Sequence, residues 1–555
     1  MLKEASKQFL QKIKTIILIL LGTVSWSLTM VKSGIGFWGA NGHDGVWHIA
    51  LSESLARGSF NMPTFAGEVL KNYHIGFDLL LALFHKVTTI PIPTLYFQII
   101  PPILALLIGI LTYKFVLNWT KSDRSAWWST FFVYFGGSFG FLIGKGESAF
   151  WSQQAISTLI NPPFALSLIL LLVGLIFIQR LEKKNSFWNY LICILAFGLL
   201  IEIKVYAGLL ALFALAILAF YNLFIIRNSK FLILFLGTLF LSILIYLPFN
   251  KLSAGLIVWQ PFWFLETMMG LTDRVGWLKF SSAMTTYKSG HFWVKGLLAY
   301  MVAFGIFILG NFGTRIIFLF RKIRLDEISI FIYSIIGAGI IIPTLFLQKG
   351  TPWNTIQFFY YSLFFSGILA GIAIDEFFSK PKHSAPMIRI IGASLVLLTI
   401  PTTLITLKDV YIPSRPPAIL LSDEIQALKF LSDQPQGVVL TYPFDSILSK
   451  EAEANPPRPL YLYTSTAYVS AFSAHPTYLE DEINLDITGY DWESRLLGIE
   501  SWYKESKQEK SRAFLKDSGI KYIYWLKGQR ALLGEGQLGI KNIYENSSVT
   551  IYQVE

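Results

Sequence analysis

The stretch GHDGVWHIALSESLARGSF, residues 42–60, follows the first long apolar run of the chain. From Asp44 it is typical of a helix that ends near Gly58. Asp44 and His48 are four residues apart and are therefore expected to share one face of that helix. An acid and a histidine so placed can orient a hydroxyl group and take its proton, or ligate a divalent cation. The alternative is that Asp44 only caps the helix.

The composition of the 555-residue chain is that of a polytopic membrane protein. Apolar residues make up 54% and charged residues 15%, with a mean hydropathy of +0.53, which is outside the range of soluble globular proteins. The one cysteine, Cys193, lies in an apolar run, and this excludes disulfides and cysteine-ligated metal sites. Lysines precede the first apolar run and no small-residue cleavage site follows it, which predicts a retained signal anchor.

Apolar runs close to the length of a bilayer predict about eleven membrane spans. The predicted spans cover residues 13–31, 95–117, 127–144, 163–180, 188–203, 206–226, 231–249, 296–320, 328–347, 357–376 and 387–408. With the N-terminus in the cytoplasm, every predicted cytoplasmic loop is basic, as the positive-inside rule requires. This arrangement predicts a multi-pass protein of the cytoplasmic (inner) membrane, whose C-terminal domain is extracytoplasmic.

The net charge of +11 is divided unevenly along the chain. Residues 409–555 contain 14 Lys and Arg against 20 Asp and Glu, whereas the preceding 408 residues contain 32 against 15. The excess basic charge lies between apolar helices. The positive-inside rule therefore explains it better than nucleic-acid binding, and no nucleic-acid partner is expected.

These patterns predict a mainly α, polytopic membrane helix bundle over residues 1–408, followed by a C-terminal extracytoplasmic α/β domain over residues 409–555. The external loop 32–94 carries HIGFDLLLALFHKV, residues 74–87, in which His74, Asp78 and His85 share one face of a helix. One polar stripe on an apolar helix is typical of a helix in the plane of the membrane interface.

Three segments of the C-terminal domain have clear secondary-structure signals. A helix is predicted over Ser422–Asp433, a strand over residues 437–444, and a helix, a glycine turn and a strand over residues 508–526. The acids Glu480, Asp481, Glu482 and Asp486 are interpreted as a solvated acidic face.

The segments GHDGVWHIAL and NYHIGFDLLLALF, at residues 42–51 and 72–84, lie in the first external loop and are followed by many further spans. This layout resembles the GT-C superfamily, polytopic glycosyltransferases that use polyprenyl-phosphate-linked sugars. The resemblance implies that Asp44 is the catalytic base or a metal-binding aspartate. Many members have two adjacent acids, whereas His43 precedes Asp44 here, so dependence on a divalent cation, Mg²⁺ or Mn²⁺ held by Asp44 and His48, is left open.

Two groups at the external ends of spans are candidates for binding a lipid phosphate. In LLIEIKVYAGLLAL, residues 199–212, Lys204 beside Tyr206 can neutralise a phosphate, the alternative being a snorkelling lysine. In LQKGTPWNTIQFFYYSLFF, residues 347–365, the candidates are Lys349, Trp353, Asn354 and Gln357. A helix N-terminus offers free N–H groups to an anion there, the alternative being an aromatic belt.

The predicted function is transfer of a sugar from a polyprenyl-phosphate-linked donor to an envelope glycan, lipid or protein acceptor at the outer face of the membrane. Asp44 and His48 are the predicted catalytic residues. The predicted substrate-binding residues are His74, Asp78, Glu147, Lys204, Tyr206, Lys349, Trp353, Asn354 and Gln357. Two alternatives stay open: a non-catalytic membrane scaffold, and a flippase or transporter of lipid-linked sugars, against which the sparse intramembrane charge argues.

Overall fold

The computed structural model of the chain describes residues 2–30, 42–250, 257–380, 384–413, 415–505, 507–529, 533 and 539–555. Clustering of contacts divides it into two compact units. The membrane unit comprises Met1–Met30, Ile100–Pro248 and Ser253–Ile412, and the α/β unit comprises Val31–Ile99, Phe249–Leu252 and Pro413–Glu555. The first external loop, predicted to belong to the membrane domain, is thus grouped with the C-terminal residues.

Helices dominate the described residues. In chain order they are α1 (Leu2–Ser27), α2 (Asp44–Ala56), α3 (Gly76–Thr88), α4 (Ile92–Thr94), α5 (Ile100–Thr120), α6 (Asp123–Phe135), α7 (Pro162–Lys183), α8 (Phe187–Gly198), α9 (Leu200–Ile203), α10 (Val205–Tyr221), α11 (Lys230–Tyr246), α12 (Trp263–Gly270), α13 (Leu278–Ser289), α14 (Trp293–Phe312), α15 (Glu327–Leu345), α16 (Gln357–Phe378), α17 (Ala385–Thr399), α18 (Pro401–Thr406), α19 (Ser422–Ser432), α20 (Ser446–Ala452), α21 (Tyr468–Ser473), α22 (Glu482–Thr488), α23 (Trp492–Lys504) and α24 (Gln508–Asp517).

The strands are short. They are β1 (Ile257–Trp259), β2 (Phe346–Gln348), β3 (Ala418–Ile419), β4 (Val438–Leu440), β5 (Arg458–Pro459), β6 (Ile520–Leu526), β7 (Ile540–Glu545) and β8 (Val549–Val554). In the membrane unit β1 pairs with β2 in antiparallel fashion.

Among the described residues, eight helices are long and apolar enough to span a membrane. They are Phe9–Ser27, Ile92–Thr120, Pro162–Lys183, Val205–Ile226, Trp293–Phe320, Glu327–Leu345, Pro352–Phe378 and Ala385–Tyr411. Each coincides with one of the eleven predicted spans, and Phe187–Ile203 and Lys230–Tyr246 are shorter apolar helices at two more. The prediction of a mainly α, multi-pass membrane protein is confirmed.

The predicted span over residues 127–144 is wrong as a continuous helix, because α6 ends at Phe135. The next two residues are glycines in crowded surroundings. A Cβ on Gly136 would lie 2.5 Å from the carbonyl oxygen of Phe132, and one on Gly137 would lie 2.7 Å from the Cβ of Thr402. The pair lets the chain leave the helix where no side chain would fit.

The core of the membrane unit is built around α16. In the apolar part of Pro352–Phe378, 89% of the residues are buried, which is the largest share among the eight long apolar helices. α16 packs against α6 and α15. A Cβ on Gly371 would lie only 2.1 Å from the backbone nitrogen of Ser129, so glycine permits the close approach of α16 to α6.

Replacing Gly371 by alanine is expected to destabilise the protein by about 1–3 kcal/mol, since the added methyl group must push backbone away from backbone. Thermal unfolding of the purified protein in detergent measures the loss. Gly337→Ala in α15 is the matched control, because a Cβ there meets nothing within 4 Å. Equal melting temperatures for the two variants would contradict the close α16–α6 contact.

The α/β unit contains a four-stranded sheet of order β4-β6-β8-β7, in which β4 and β6 are parallel and the other pairs are antiparallel. The predicted helix at Ser422–Asp433 is confirmed as α19. The predicted helix, turn and strand over residues 508–526 are confirmed as α24 and β6. The predicted strand at 437–444 is shorter, as β4.

Backbone hydrogen bonds join the first external loop to the C-terminal part of the α/β unit. The N–H of Thr477 donates to the carbonyl of Pro63 at 2.7 Å, and the N–H of Ala66 donates to the carbonyl of Thr477 at 2.9 Å. The N–H of Glu480 donates to the carbonyl of Thr64 at 3.0 Å. This pairing explains why the loop clusters with residues more than 400 positions away.

The segment predicted as an interfacial helix forms α3. Its buried face consists of Phe77, Asp78, Leu81 and Ala82. On the opposite side, the exposed side chains are Leu79, Leu83, Phe84 and Val87. An apolar outer face suits contact with lipid, and the position of α3 in the membrane interface stays a prediction.

Candidate functional site

A histidine lies between two carboxylates at the start of α2. His43 Nε2 is 2.8 Å from Asp481 Oδ1, and His43 Nδ1 is 3.2 Å from Asp44 Oδ1. Ionised carboxylates only accept hydrogen bonds, and a protonated imidazole donates from both ring nitrogens, so it can bond to both acids at once. Burial by itself lowers the pKa of His43, but Asp481 and Asp44 outweigh it and hold the pKa well above its ordinary value. We refer to His43, Asp44 and Asp481 as the histidine clamp.

The two acids of the clamp differ in exposure. The Asp481 side chain is fully buried, whereas that of Asp44 is 51% exposed. Asp481 precedes α22 and is held by Asn484, whose backbone N–H donates to Oδ1 at 3.3 Å and whose Nδ2 donates to Oδ2 at 2.9 Å. Asp481 is thus the fixed end of the clamp, and Asp44 is the end that a substrate can reach.

His48 does not turn toward Asp44 as predicted. Its Nδ1 lies 2.8 Å from Asp78 Oδ1, with both side chains almost fully buried. The Tyr96 ring stacks on the imidazole with 5.8 Å between centroids. Burial raises the pKa of the Asp78 carboxyl, and His48 beside it acts in the opposite direction. This buried pair connects α2 to α3, which is a positioning role.

His74 and His85, the other histidines of the predicted polar stripe, have different contacts. His74 packs against the ring of Tyr73 with 4.6 Å between centroids. His85 Nδ1 lies 2.8 Å from the carbonyl oxygen of Ile90, beyond the C-terminus of α3.

In the membrane unit, Lys204 lies in extended conformation between α9 and α10 and is 4% exposed. Its Nζ is 5.5 Å from the centre of the Tyr206 ring, and the Tyr206 hydroxyl donates to Gln348 Oε1 at 3.1 Å. Gln348 immediately precedes the exposed Lys349 in the chain. The structure therefore connects the two segments that sequence analysis singled out for phosphate binding.

The residues before α16 form a short 3₁₀ turn, Pro352–Ile356. Asn354 Nδ2 donates to Thr351 Oγ1 at 3.0 Å, and Gln357 Nε2 donates to Asn354 Oδ1 at 3.5 Å. Trp353 is 52% exposed. The two amides are thus linked to each other at the start of α16.

Glu147 is a buried member of a polar network in the membrane unit. It accepts hydrogen bonds from the Ser157 hydroxyl and, at 3.1 Å, from the Gln154 backbone N–H. Burial raises the pKa of Glu147 to about 7, against the effect of these two hydrogen bonds. The Ser157 hydroxyl also bonds to the Tyr411 hydroxyl at 2.7 Å. These contacts describe a structural acid, and its predicted substrate role stays untested.

The residues present do not fit the Mg²⁺ or Mn²⁺ site suggested for Asp44 and His48. His48 is directed to Asp78, and the space between Asp44 and Asp481 is filled by the His43 ring. Across the described part of the chain, no three His, Cys, Asp or Glu side chains are grouped so as to hold a metal ion.

The sequence pattern does not single out Asp481, because Glu480, Asp481, Glu482 and Asp486 together are typical of a solvated acidic face. That interpretation is wrong for two of its four acids: Glu480 is 6% exposed and Asp481 is 1% exposed. Asp481 lies 438 positions from His43. No periodicity or motif in one sequence connects residues at that distance.

Several solved structures are similar to this chain. The oligosaccharyltransferase of Archaeoglobus fulgidus, tethered to an acceptor peptide, matches with a TM-score of 0.51 and 12% identity over 92% of this chain and 69% of that chain. The arabinofuranosyltransferase AftD from Mycobacteria matches with 0.50 and 9% over 98% and 41%. ArnT from Cupriavidus metallidurans, bound to undecaprenyl phosphate, matches with 0.49 and 10% over 97% of both.

No protein-family model and no curated protein matches the sequence. The oligosaccharyltransferase and AftD are GT-C glycosyltransferases. The fold of this chain is therefore similar to that of these GT-C membrane glycosyltransferases, and the GT-C fold expected from the sequence is confirmed.

Asp481→Asn is expected to lower stability by about 1–3 kcal/mol near pH 6, because a charged hydrogen bond is lost. The raised folded-state pKa of His43 means that this stabilisation is fully present below its unfolded pKa of about 6.5 and is lost as the pH rises through the folded pKa. The difference in melting temperature between wild type and variant should therefore narrow toward about pH 9. Scanning fluorimetry in detergent measures it.

The control for that comparison is Asp486→Asn, which changes an exposed acid in the same helix α22. It should leave the melting temperature unchanged at every pH. A wild-type–Asp481→Asn difference that stays constant from about pH 6 to 9 would argue against a charged His43.

Proposed function

We propose that this protein transfers a sugar from a polyprenyl-phosphate-linked donor to an acceptor hydroxyl at the outer face of the cytoplasmic membrane. The observation that carries the proposal is Asp44. It is a half-exposed carboxylate in the first loop of a GT-C fold, and it is oriented by a histidine that is itself anchored to a buried acid. Such a carboxylate has the accessibility and the fixed orientation that a general base needs.

In the proposed reaction the acceptor hydroxyl gives its proton to Asp44. Its oxygen forms the new bond to the anomeric carbon of the donor sugar, and the bond from that carbon to the phosphate oxygen breaks. Polyprenyl phosphate leaves with the bonding electron pair. No nucleotide takes part in this exchange.

His43 and Asp481 act as positioning residues. The hydrogen bond from His43 Nδ1 restricts the rotation of the Asp44 carboxylate, and the bond from Nε2 to Asp481 restricts the rotation of the imidazole. A base held in one orientation loses less entropy on reaching the transition state.

On the donor side, Lys204 and Tyr206 are the proposed phosphate-binding residues, with Lys349, Trp353, Asn354 and Gln357 as the second group. A lysine supplies a compact positive charge, which suits a phosphate monoester or diester. The link from Tyr206 to Gln348 supports treating the two groups as one region. The neighbour ArnT, solved with undecaprenyl phosphate, supports a donor or product of this class.

The orientation of the chain is part of the proposal. The basic cytoplasmic loops favour an N-terminus in the cytoplasm and an extracytoplasmic α/β unit. In that orientation Asp44 faces the compartment in which envelope glycans, lipids and proteins would serve as acceptors.

Asp44→Asn is expected to lower the rate of transfer by at least about 100-fold, because the amide cannot take up the proton. The measurement is release of polyprenyl phosphate from a panel of polyprenyl-phosphate hexoses and pentoses in membranes containing the protein. Glu68→Gln, an exposed acid in the same loop, is the control and should retain full activity. Full activity of Asp44→Asn would remove the proposed base, and the absence of release from every donor would favour a scaffold.

Lys204→Met is expected to raise the KM for the lipid donor about 10- to 100-fold with little change in kcat, since binding to the phosphate is lost equally in ground and transition states. The KM of Lys204→Arg should lie between those of the wild type and Lys204→Met, because arginine keeps the positive charge. Lys279→Met in α13, an exposed lysine, is the control. A KM unchanged in Lys204→Met would assign the lysine a purely structural role.

A further inference from the structure

The α/β unit contains a cavity of about 600 Å³, including its opening, to which nothing above assigns a ligand. Its walls come from residues 441–445, 461–462, 464–466 and 479–482, with Tyr524 and Leu526 of β6 contributing as well. One side of the cavity is therefore formed by the end of β4 and the other by the start of α22.

The chemistry of the walls selects the kind of ligand. Hydroxyl groups come from Thr441, Thr464, Ser465 and Thr466, and carboxyl groups come from Asp445, Glu480, Asp481 and Glu482. Among the described residues of its lining there is no lysine, arginine or histidine. Such walls exchange hydrogen bonds with a ligand rich in hydroxyl groups, and their described residues offer no positive charge to a phosphate or a carboxylate.

Three of the four carboxyl groups already have structural tasks. Glu480 accepts from the backbone N–H groups of Val469 and Ser470 at 2.9 and 3.0 Å, at the start of α21. Asp445 caps α20 by accepting from the N–H groups of Ile447 and Leu448. Asp481 belongs to the histidine clamp. Glu482 is therefore the acid most suited to forming hydrogen bonds with a ligand.

Glu482 is half-buried at the wall, and the Ser465 hydroxyl donates to its Oε2. A carboxylate with a neighbouring hydroxyl can accept from one sugar hydroxyl and exchange a hydrogen bond with the next. Half-buried Tyr442, Phe444 and Tyr461 add flat apolar rings, on which the C–H face of a sugar can pack.

The cavity is connected to the histidine clamp within the α/β unit. Asp481 lines the cavity and its Oδ1 is 2.8 Å from His43 Nε2. Thr466, another lining residue, donates through Oγ1 to the carbonyl of Gly42 at 3.1 Å. The cavity wall therefore includes the two residues that hold the chain just before Asp44.

A second cavity, of about 1090 Å³ with its opening, shares Tyr442, Pro443, Phe444 and Asp445 with the first. The two cavities therefore adjoin the same segment, residues 442–445. A second cavity at this segment offers a place for a further sugar unit of a glycan acceptor.

We infer that the cavity binds an uncharged sugar unit of a glycan acceptor, with Glu482 and Ser465 hydrogen-bonding its hydroxyl groups. The inference rests on the proposed function, in which Asp44 activates a hydroxyl of that acceptor. It narrows the acceptor to a neutral glycan.

The experiment is saturation-transfer NMR on the full-length protein in nanodiscs. The probes are neutral hexasaccharides of glucose, mannose, galactose and arabinose, a hexamer of galacturonic acid, and a mixture of uncharged hexapeptides. At least one neutral hexasaccharide should bind, and the acidic hexamer should not. Glu482→Gln should weaken that binding about tenfold, and Tyr461→Phe should weaken it less, since it removes one hydroxyl and keeps the ring.

Asp486→Asn is the matched control in the same helix and should bind as wild type does. Binding of the acidic hexamer or of the peptides in preference to every neutral sugar would overturn the inference, as would neutral-sugar binding that Glu482→Gln leaves unchanged. Asp44→Asn separates the two proposals: it should bind the sugar normally while losing transfer. If Asp44→Asn loses transfer but the wild-type protein binds no neutral sugar, the proposed role of the cavity is refuted. The proposed role of Asp44 as the base is then retained.

Discussion

The pairing of residues 63–66 with residues 477–480 is the constraint on which the candidate site depends. Three backbone hydrogen bonds hold two segments that are separated by more than 400 positions. Closing so large a loop costs conformational entropy, which grows only slowly with loop length. Once the pairing exists, His43 and Asp481 are brought into range, and the helix that begins at Asp44 is oriented by the same unit that contains α22.

Charge explains why a histidine stands between the two acids. Two carboxylates brought close together repel each other, and one of them would take up a proton. An imidazolium between them gives each carboxylate a charged hydrogen bond and balances half of the negative charge. The same ring occupies the space that a cation would need. The presence of a histidine before Asp44 and the poor fit for a metal ion thus have one physical origin.

The sequence was sufficient for features set by local pattern and insufficient for those set by tertiary contact. Apolar length located eight of the long helices, and periodicity located α19 and α24. The hydropathy pattern does not predict the end of α6. That end is set by steric crowding, because a Cβ on Gly136 would meet the helix backbone and one on Gly137 would meet Thr402. The partner of His48 was predicted wrongly for a related reason. Helical spacing predicts Asp44 as its neighbour, whereas tertiary packing brings Asp78 to it.

At 9–12% identity, a shared fold does not transfer residue roles, because one fold supports many chemistries. The roles proposed for this chain therefore follow from its own geometry. In that geometry Asp481 has two tasks, since it anchors His43 and also lines the cavity of the α/β unit. Asn484 hydrogen-bonds to both of its carboxylate oxygens, so this part of the cavity wall is held in a fixed position. Acceptor binding and orientation of the base would then depend on the same buried carboxylate, which ties the choice of acceptor to the reactivity of Asp44.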